Sequence, residues 1–209
     1  ETSIIPTTWR EGGVADTARL TDTVSLDAML SSGLATTAAK NFAVRDGRLN
    51  GASAKAKDPA YTARLKWSGL PGIELATTLQ RQTDITQSVE ATAGAATLVE
   101  AHAVLNHGRF GLRALYAGWQ LDGSGPKAVG ADKQNGWYVE PSWKFTEQWG
   151  VFVRRSSWDN RAGDVADSRY RQTDFGVNYW PHPDVVVKLD YQNQQVAAGT
   201  DEYDGFNVG

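Results

Sequence analysis

Apolar and polar residues alternate along most of this chain with a period of two. In Ala60 to Gln82, Tyr61, Ala63, Leu65 and Trp67 fall on one face of an extended segment, and Thr62, Arg64 and Lys66 on the other. After a break at Ser68 to Gly72 the alternation resumes, with Ile73, Leu75, Thr77 and Leu79 opposite Glu74, Ala76, Thr78 and Gln80. Successive side chains of a strand point to opposite faces, so the stretch predicts a hairpin with one oily and one charged face. In a soluble sheet the oily face forms the core. In a membrane barrel it meets lipid, and the charged face lines a lumen.

The same pattern predicts about eleven strands, near residues 13-20, 23-32, 58-68, 72-83, 95-106, 109-121, 136-146, 149-158, 169-180, 184-195 and 204-209. Most have about 10 to 13 residues. That is longer than a usual globular strand and suits a tilted bilayer crossing of about 9 to 11 residues. The connections alternate strictly between two classes. Short ones lie at Thr21-Asp22, Ser68 to Pro71, His107-Gly108, Glu147-Gln148 and Pro181 to Pro183; long ones lie near 33-57, 84-94, 122-135, 159-168 and 196-203 and are rich in Gly, Asp, Ser, Ala and Lys, as flexible loops are. Placing every long loop at one end is the habit of outer-membrane barrels, with short periplasmic turns and long extracellular loops.

Face assignments agree from strand to strand. Trp137, Val139, Pro141, Trp143 and Phe145 lie opposite Tyr138, Glu140, Ser142 and Lys144; Thr173, Phe175, Val177 and Tyr179 opposite Asp174, Gly176 and Asn178; Val185, Val187, Leu189 and Tyr191 opposite Val186, Lys188, Asp190 and Gln192. The polar phase stays charged in mid-strand. Trp67, Trp143, Phe145, Trp149, Tyr179 and Trp180 fall close to the short turns, where an aromatic girdle at a membrane interface would sit. The expected fold is therefore all-β: a single transmembrane antiparallel β-barrel domain over 1-209, partial, with about eleven of its strands in this chain.

Composition narrows the picture further. No run approaches the roughly 18 to 20 apolar residues of a membrane helix, and the mean hydropathy of -0.43 is what a barrel gives when every second residue is polar. With 22% charged residues and a net charge of -3, nucleic acid is not an implied partner. Cysteine is absent, which removes disulfides and Cys-based sites. The chain begins at Glu1 without an initiator Met or leader and stops at Gly209 inside GFNVG, so both ends are expected to be cut from something longer. If segment 13-20 descends to a periplasmic turn, segment eleven descends too. An even strand number then requires an odd number before Glu1; about five more would give about sixteen, a porin-sized ring with an aqueous channel.

RLNGASAKAKDPAYTARLKWSGLPGIELATTLQRQTDITQ at 48-87, GWYVEPSWKFTEQWGVFVRRSSWDN at 136-160, and RQTDFGVNYWPHPDVVVKLDYQNQ with DEYDGFNVG at the end resemble the C-terminal part of bacterial outer-membrane porins. The chain is most similar to the phosphate-selective porin O and P family from about Ile4 onward. The resemblance implies a sixteen-stranded, homotrimeric barrel in the Gram-negative outer membrane, contacting lipid and lipopolysaccharide and passing small, often anionic solutes by diffusion. Members close their last strand with an aromatic residue, which is not reached here. The lysines and arginine ladder behind phosphate selectivity in the family find no residue-by-residue match, so phosphate specificity is not part of the expectation.

On this reading the candidate pore-lining residues are Arg64, Lys66, Arg113, Lys144, Arg154 and Lys188 against Glu74, Glu100, Glu140, Asp174 and Asp190, with His102 beside them. The near balance predicts at most a mild anion preference. Lys66 is expected to pair with Glu74, and Lys188 diagonally with Asp174. The loop at 33-57 carries Lys40, Arg45, Arg48, Lys55 and Lys57 against Asp46, enough to draw anions or lipopolysaccharide phosphates, or simply to keep an exposed loop soluble. If about five strands precede the chain, Glu1 to Gly12 would be the tail of a third extracellular loop, which the family resemblance implies is folded inward, with Arg10 near the constriction.

Catalytic signals are poor. GSGPK at 123-127 lacks the spacing of a phosphate-binding loop and reads as a loop tip. His102, His107 and His182 have no metal-like spacing, so neither a metal nor a cofactor is expected. A barrel enzyme needs an activated nucleophile or water near the loop end, whereas His107 and His182 lie in short turns. A diffusion porin is thus the leading reading, with a barrel enzyme and a soluble multi-stranded carbohydrate-binding module as alternatives.

Overall fold

Alternation dictates strands, and strands must find partners for every backbone N–H and C=O. In the computed structural model, which describes residues 3–5, 9–197 and 202–209, they find them in chain order. β1 (Gly13–Arg19), β2 (Val24–Ser31), β3 (Ala60–Leu70), β4 (Ile73–Gln82), β5 (Ala96–His107), β6 (Phe110–Leu121), β7 (Lys133–Lys144), β8 (Trp149–Asp159), β9 (Tyr170–His182), β10 (Val185–Gln195) and β11 (Tyr203–Val208) form one antiparallel sheet, each strand bonded to its neighbours in sequence. β1 and β11 are its two edges among the described residues. All eleven expected strands are present; the largest shift is β7, which begins three residues before the expected 136.

The short turns have local causes. Pro71 and Gly72 turn β3 into β4, with Gly72 at φ 78, the left-handed conformation that glycine adopts without penalty. Its carbonyl also accepts the Asn106 N–H at 2.7 Å, tying this turn to the next hairpin. Pro141 interrupts the β7–β8 ladder between the Val139–Arg155 and Ser142–Phe152 pairs because it has no N–H to donate.

The two faces of the sheet are covered differently. Val14, Tyr61, Leu65, Leu75, Leu79, Val99, Tyr116, Val139, Val153, Phe175, Leu189 and Phe206 all stand on the outer face and all are exposed. So extensive an apolar face is not left to water in a soluble monomer, and it matches the lipid-facing band of a barrel. Along its short-turn end runs an aromatic band: Phe110 stacks on Trp143 at 6.2 Å, Trp143 meets Phe145 at 6.0 Å, and Trp149 stacks on Tyr179 at 4.5 Å. Trp180 does not join it. As the neighbour of the outward Tyr179 it points the other way, over Gly150 on the inner face, so the expected girdle loses one member.

The buried apolar cluster lies on the inner face, at the long-loop end. Leu34, Phe42 and Val44 of the 33-57 loop pack with Ile85, Ala96, Leu98, Ala117, Trp119 and Leu121, and Ile4 joins them against Gly136 and Trp158. Three glutamines fasten the loops there. The Gln82 amide accepts from Leu34 N at 2.9 Å and donates to Leu34 O at 2.7 Å. Gln87 donates to the carbonyls of Ser32, Leu34 and Asp58. Gln134 accepts from Val44 N at 3.1 Å and donates to the carbonyls of Phe42 and Ala131. The 33-57 loop, expected as a flexible exposed segment, is instead folded inward in three 3-10 turns at Ala38–Lys40, Val44–Gly47 and Gly51–Ser53. Its apolar residues recur too irregularly for a period to reveal that.

The GSGPK stretch also departs from expectation. It begins a short helix, α1 (Ser124–Ala128), whose Pro126 is buried. Gly125 packs so closely on Phe42 and Thr92 that a Cβ would collide with them. It is a packing element under the inward loop, not a loop tip.

Two outcomes test this arrangement. Val139→Arg places a cation in the middle of the outer face and should cost about 2–4 kcal/mol of stability when unfolding is followed in lipid vesicles; a cost near zero would mean that the face is not in lipid. Gln134→Leu orphans three buried backbone groups at about 1–3 kcal/mol each. Trypsin should then cut after Lys40 or Arg45 faster than in the parent with strand content unchanged, and an unchanged rate would deny Gln134 its anchoring role.

Candidate functional site

Below the packed loops, toward the short turns, the inner face is a wall of charge whose order follows from the strand register. One level contains Arg109, Lys144, Gly150, Asn178 and Lys188, paired side by side from β6 to β10. The next has Gly111, Ser142, Phe152, Gly176 and Asp190. The third runs from Glu74 through Val104 and Arg113 to Glu140, and from Arg154 to Asp174 and Gln192. Of these three levels, the one nearest the turns has cations and no carboxylate, and Glu147 and Asp184 lie beyond it in the turns themselves.

Ion pairs bind most of these charges to one another. Arg154 donates to Glu140 through Nε at 2.7 Å, and Arg113 stands 3.9 Å from the same carboxylate. The Arg154 guanidinium also lies over the Tyr138 ring. Lys66 meets Glu74 at 3.9 Å, as expected, and His102 bridges Glu74 at 3.7 Å and Glu100 at 2.7 Å, with the Thr78 hydroxyl donating to Glu100. Arg64 makes two contacts of 2.7 Å to Asp27, which also accepts from Thr17. Asp190 accepts from Asn207 at 2.8 Å and Asp174 from Gln172 at 2.7 Å.

The Lys188–Asp174 pair does not form. Lys188 sits opposite Asn178, four residues along β9 from Asp174, and at about 3.3 Å per residue that offset exceeds the reach of the side chain. Among the described residues neither Lys188 nor Lys144 has an ion pair; Lys144 rests over the Trp180 ring at 4.4 Å. Arg10 is exposed between Trp9, packed on the buried cluster, and Glu11, which accepts from Gly33 N. None of the described contacts joins it to the wall charges. Most of the rest of the inward-tail expectation, Glu1, Thr2 and Pro6 to Thr8, lies outside the described residues; within it, Ile4 is buried on the inner face.

Sequence reasoning missed Asp27, although its phase in VSLDAML, with Ser25 and Met29 opposite Val24, Leu26 and Leu30, already placed it on the polar face. It also missed Arg109, Phe152 and Trp180 as wall residues. Asp27 and Arg109 add one charge of each sign, so the near balance is unchanged and the count alone predicts little preference. Position matters more, because among the described residues the wall cations without ion pairs, Arg109, Lys144 and Lys188, share one level at the turn end.

The model of one family, phosphate-selective porin O and P, matches residues 15–205. The chain belongs to that family. Among solved structures, this porin chain resembles a porin at 12% identity and a TM-score of 0.63, covering 95% of this chain and 60% of that one. It resembles the outer membrane channel DcaP of Acinetobacter baumannii at 12% identity and 0.64, with coverage of 96% and 61%, and an anion-selective porin from Comamonas acidovorans at 11% and 0.60, with coverage of 93% and 53%. At such identities the likeness concerns the fold. The porin chain spans about 60% of the length of the first of these structures. No curated protein matches it.

Glu140 restrains two arginines at once, so its removal frees positive field in the wall of this porin. Glu140→Gln should raise the chloride-to-potassium permeability ratio by up to about fivefold, the effect of about 1 kcal/mol for one charge near the ion path in water. An unchanged ratio, read from the reversal potential in a salt gradient, would remove the Arg113–Glu140–Arg154 group from the path.

Proposed function

We propose that this chain supplies eleven strands of an about sixteen-stranded outer-membrane channel, through which small hydrophilic solutes diffuse passively with a preference for anions. The observation that carries the reading is the separation of faces: an exposed apolar outer face beside an inner face of ordered charge, in a chain of the porin family. The anion preference is supported by Arg109, Lys144 and Lys188, which share one level of the turn end with no carboxylate among them. The inward 33-57 loop narrows the passage from the other end and sets a size limit.

The location in the Gram-negative outer membrane and assembly as a homotrimer accompany this reading as the family resemblance implies them. Exposed Lys40, Arg45, Lys55 and Lys57 at the long-loop end support contact with lipopolysaccharide phosphates. The reading is of a channel, not an enzyme, and membership in a porin family supports it.

Reversal potential in a potassium chloride gradient across planar bilayers tests the preference. The parent channel should favour chloride, and Lys144→Glu with Lys188→Glu should move the potential toward potassium. Arg64→Glu should move it less, since Arg64 is already tied to Asp27. A parent channel without chloride preference, or a lysine pair whose reversal leaves the potential unchanged, would overturn the reading.

A further inference from the structure

The turn end of the inner wall between β7 and β10 carries aromatic rings as well as cations. Trp180 lies across Gly150, where a Cβ would come within 3.1 Å of the indole. Phe152 lies across Gly176, where a Cβ would collide with the ring. The two glycines, on facing strands one level apart, let both rings lie on the backbone instead of standing off it. Both rings are partly exposed, on the inner face, beside Lys144 and Lys188.

We propose that this stretch is a stacking site for planar aromatic carboxylates moving through the channel. The proposal rests on the channel reading above and adds the class of solute. Lys144 lies over the Trp180 ring with no ion pair among the described residues, and Lys188 shares its level on the far side of Gly150 and Asn178. An arriving carboxylate draws Lys144 off the indole, and the solute's own ring takes its place there, so neither the cation nor the aromatic face is left without a partner. Phe152 follows one level inward, about 6 to 7 Å along the strand, a short step from ring to ring. Asp190 at the level of Phe152 and Asp174 beyond it discourage deeper entry of the anion until Arg154 is reached. An inorganic anion would use only the lysines, and an uncharged sugar only the rings. An aromatic acid uses both.

The test compares two acids of equal charge and similar size as blockers of the chloride current of the intact channel in planar bilayers, each added on the short-turn side. Benzoate should reach half-block at a concentration about fivefold below that of cyclohexanecarboxylate, the advantage of about 1 kcal/mol that aromatic pairing gives. Trp180→Leu with Phe152→Leu should close that gap while the chloride preference remains, and Trp180→Tyr, which keeps a ring, should retain it. Equal half-block by the two acids in the parent channel overturns the proposal without need of a variant, and so does a gap that survives in the double leucine variant. Absence of chloride preference in the parent is a separate result, which sinks the anion-channel reading and leaves the comparison of the two acids to be judged by itself.

Discussion

Backbone hydrogen bonding in a medium without water is the constraint on which this structure depends. A strand crossing lipid has no solvent to satisfy its N–H and C=O groups, so each must pair along both sides, and a chain of hairpins does this most directly by pairing strands in sequence order. The eleven-stranded sheet does so without a crossover. Once pairing is settled, the period of two leaves every second residue outside and the others inside. Oily residues outside match lipid, and the inner face takes most of the mid-strand charge.

The inner face is then divided along its length. At the long-loop end it holds an apolar cluster, closed by a loop whose backbone is bonded by the buried amides of Gln82, Gln87 and Gln134. A buried backbone segment outside regular structure would otherwise leave its polar groups without partners, and glutamine supplies a donor and an acceptor on one neutral side chain. At the turn end the same face holds charges in levels. Their carboxylates are tied to cations, hydroxyls or amides, and Lys144 and Lys188 remain outside that network of ion pairs among the described residues.

Much of this was legible beforehand. The strands, the alternating turn lengths, the outward aromatics at Trp143, Trp149 and Tyr179, and the Lys66–Glu74 pair all follow from local pattern, and the structure has each of them. The misread features share one cause, the need to know what lies across a strand or above it. Nearness to a turn groups Trp180 with Tyr179, although adjacent strand residues face opposite ways. Charge alone matches Lys188 to Asp174, whereas the register separates them by four residues of offset. The charges of the 33-57 loop make it look exposed throughout, while Leu34, Phe42 and Val44 are hidden beneath.

Period-two alternation, a property of the chain's covalent geometry, was enough to establish the strands and their two faces, because successive side chains of a strand must point apart whatever else the chain does; strand lengths, alternating turn lengths and aromatic placement added the expectation of a membrane. Tertiary structure alone decided which charges meet, which rings lie over Gly150 and Gly176, and that the long loop folds inward. Those outcomes depend on distances between residues remote in sequence, which register and packing set and no local pattern encodes.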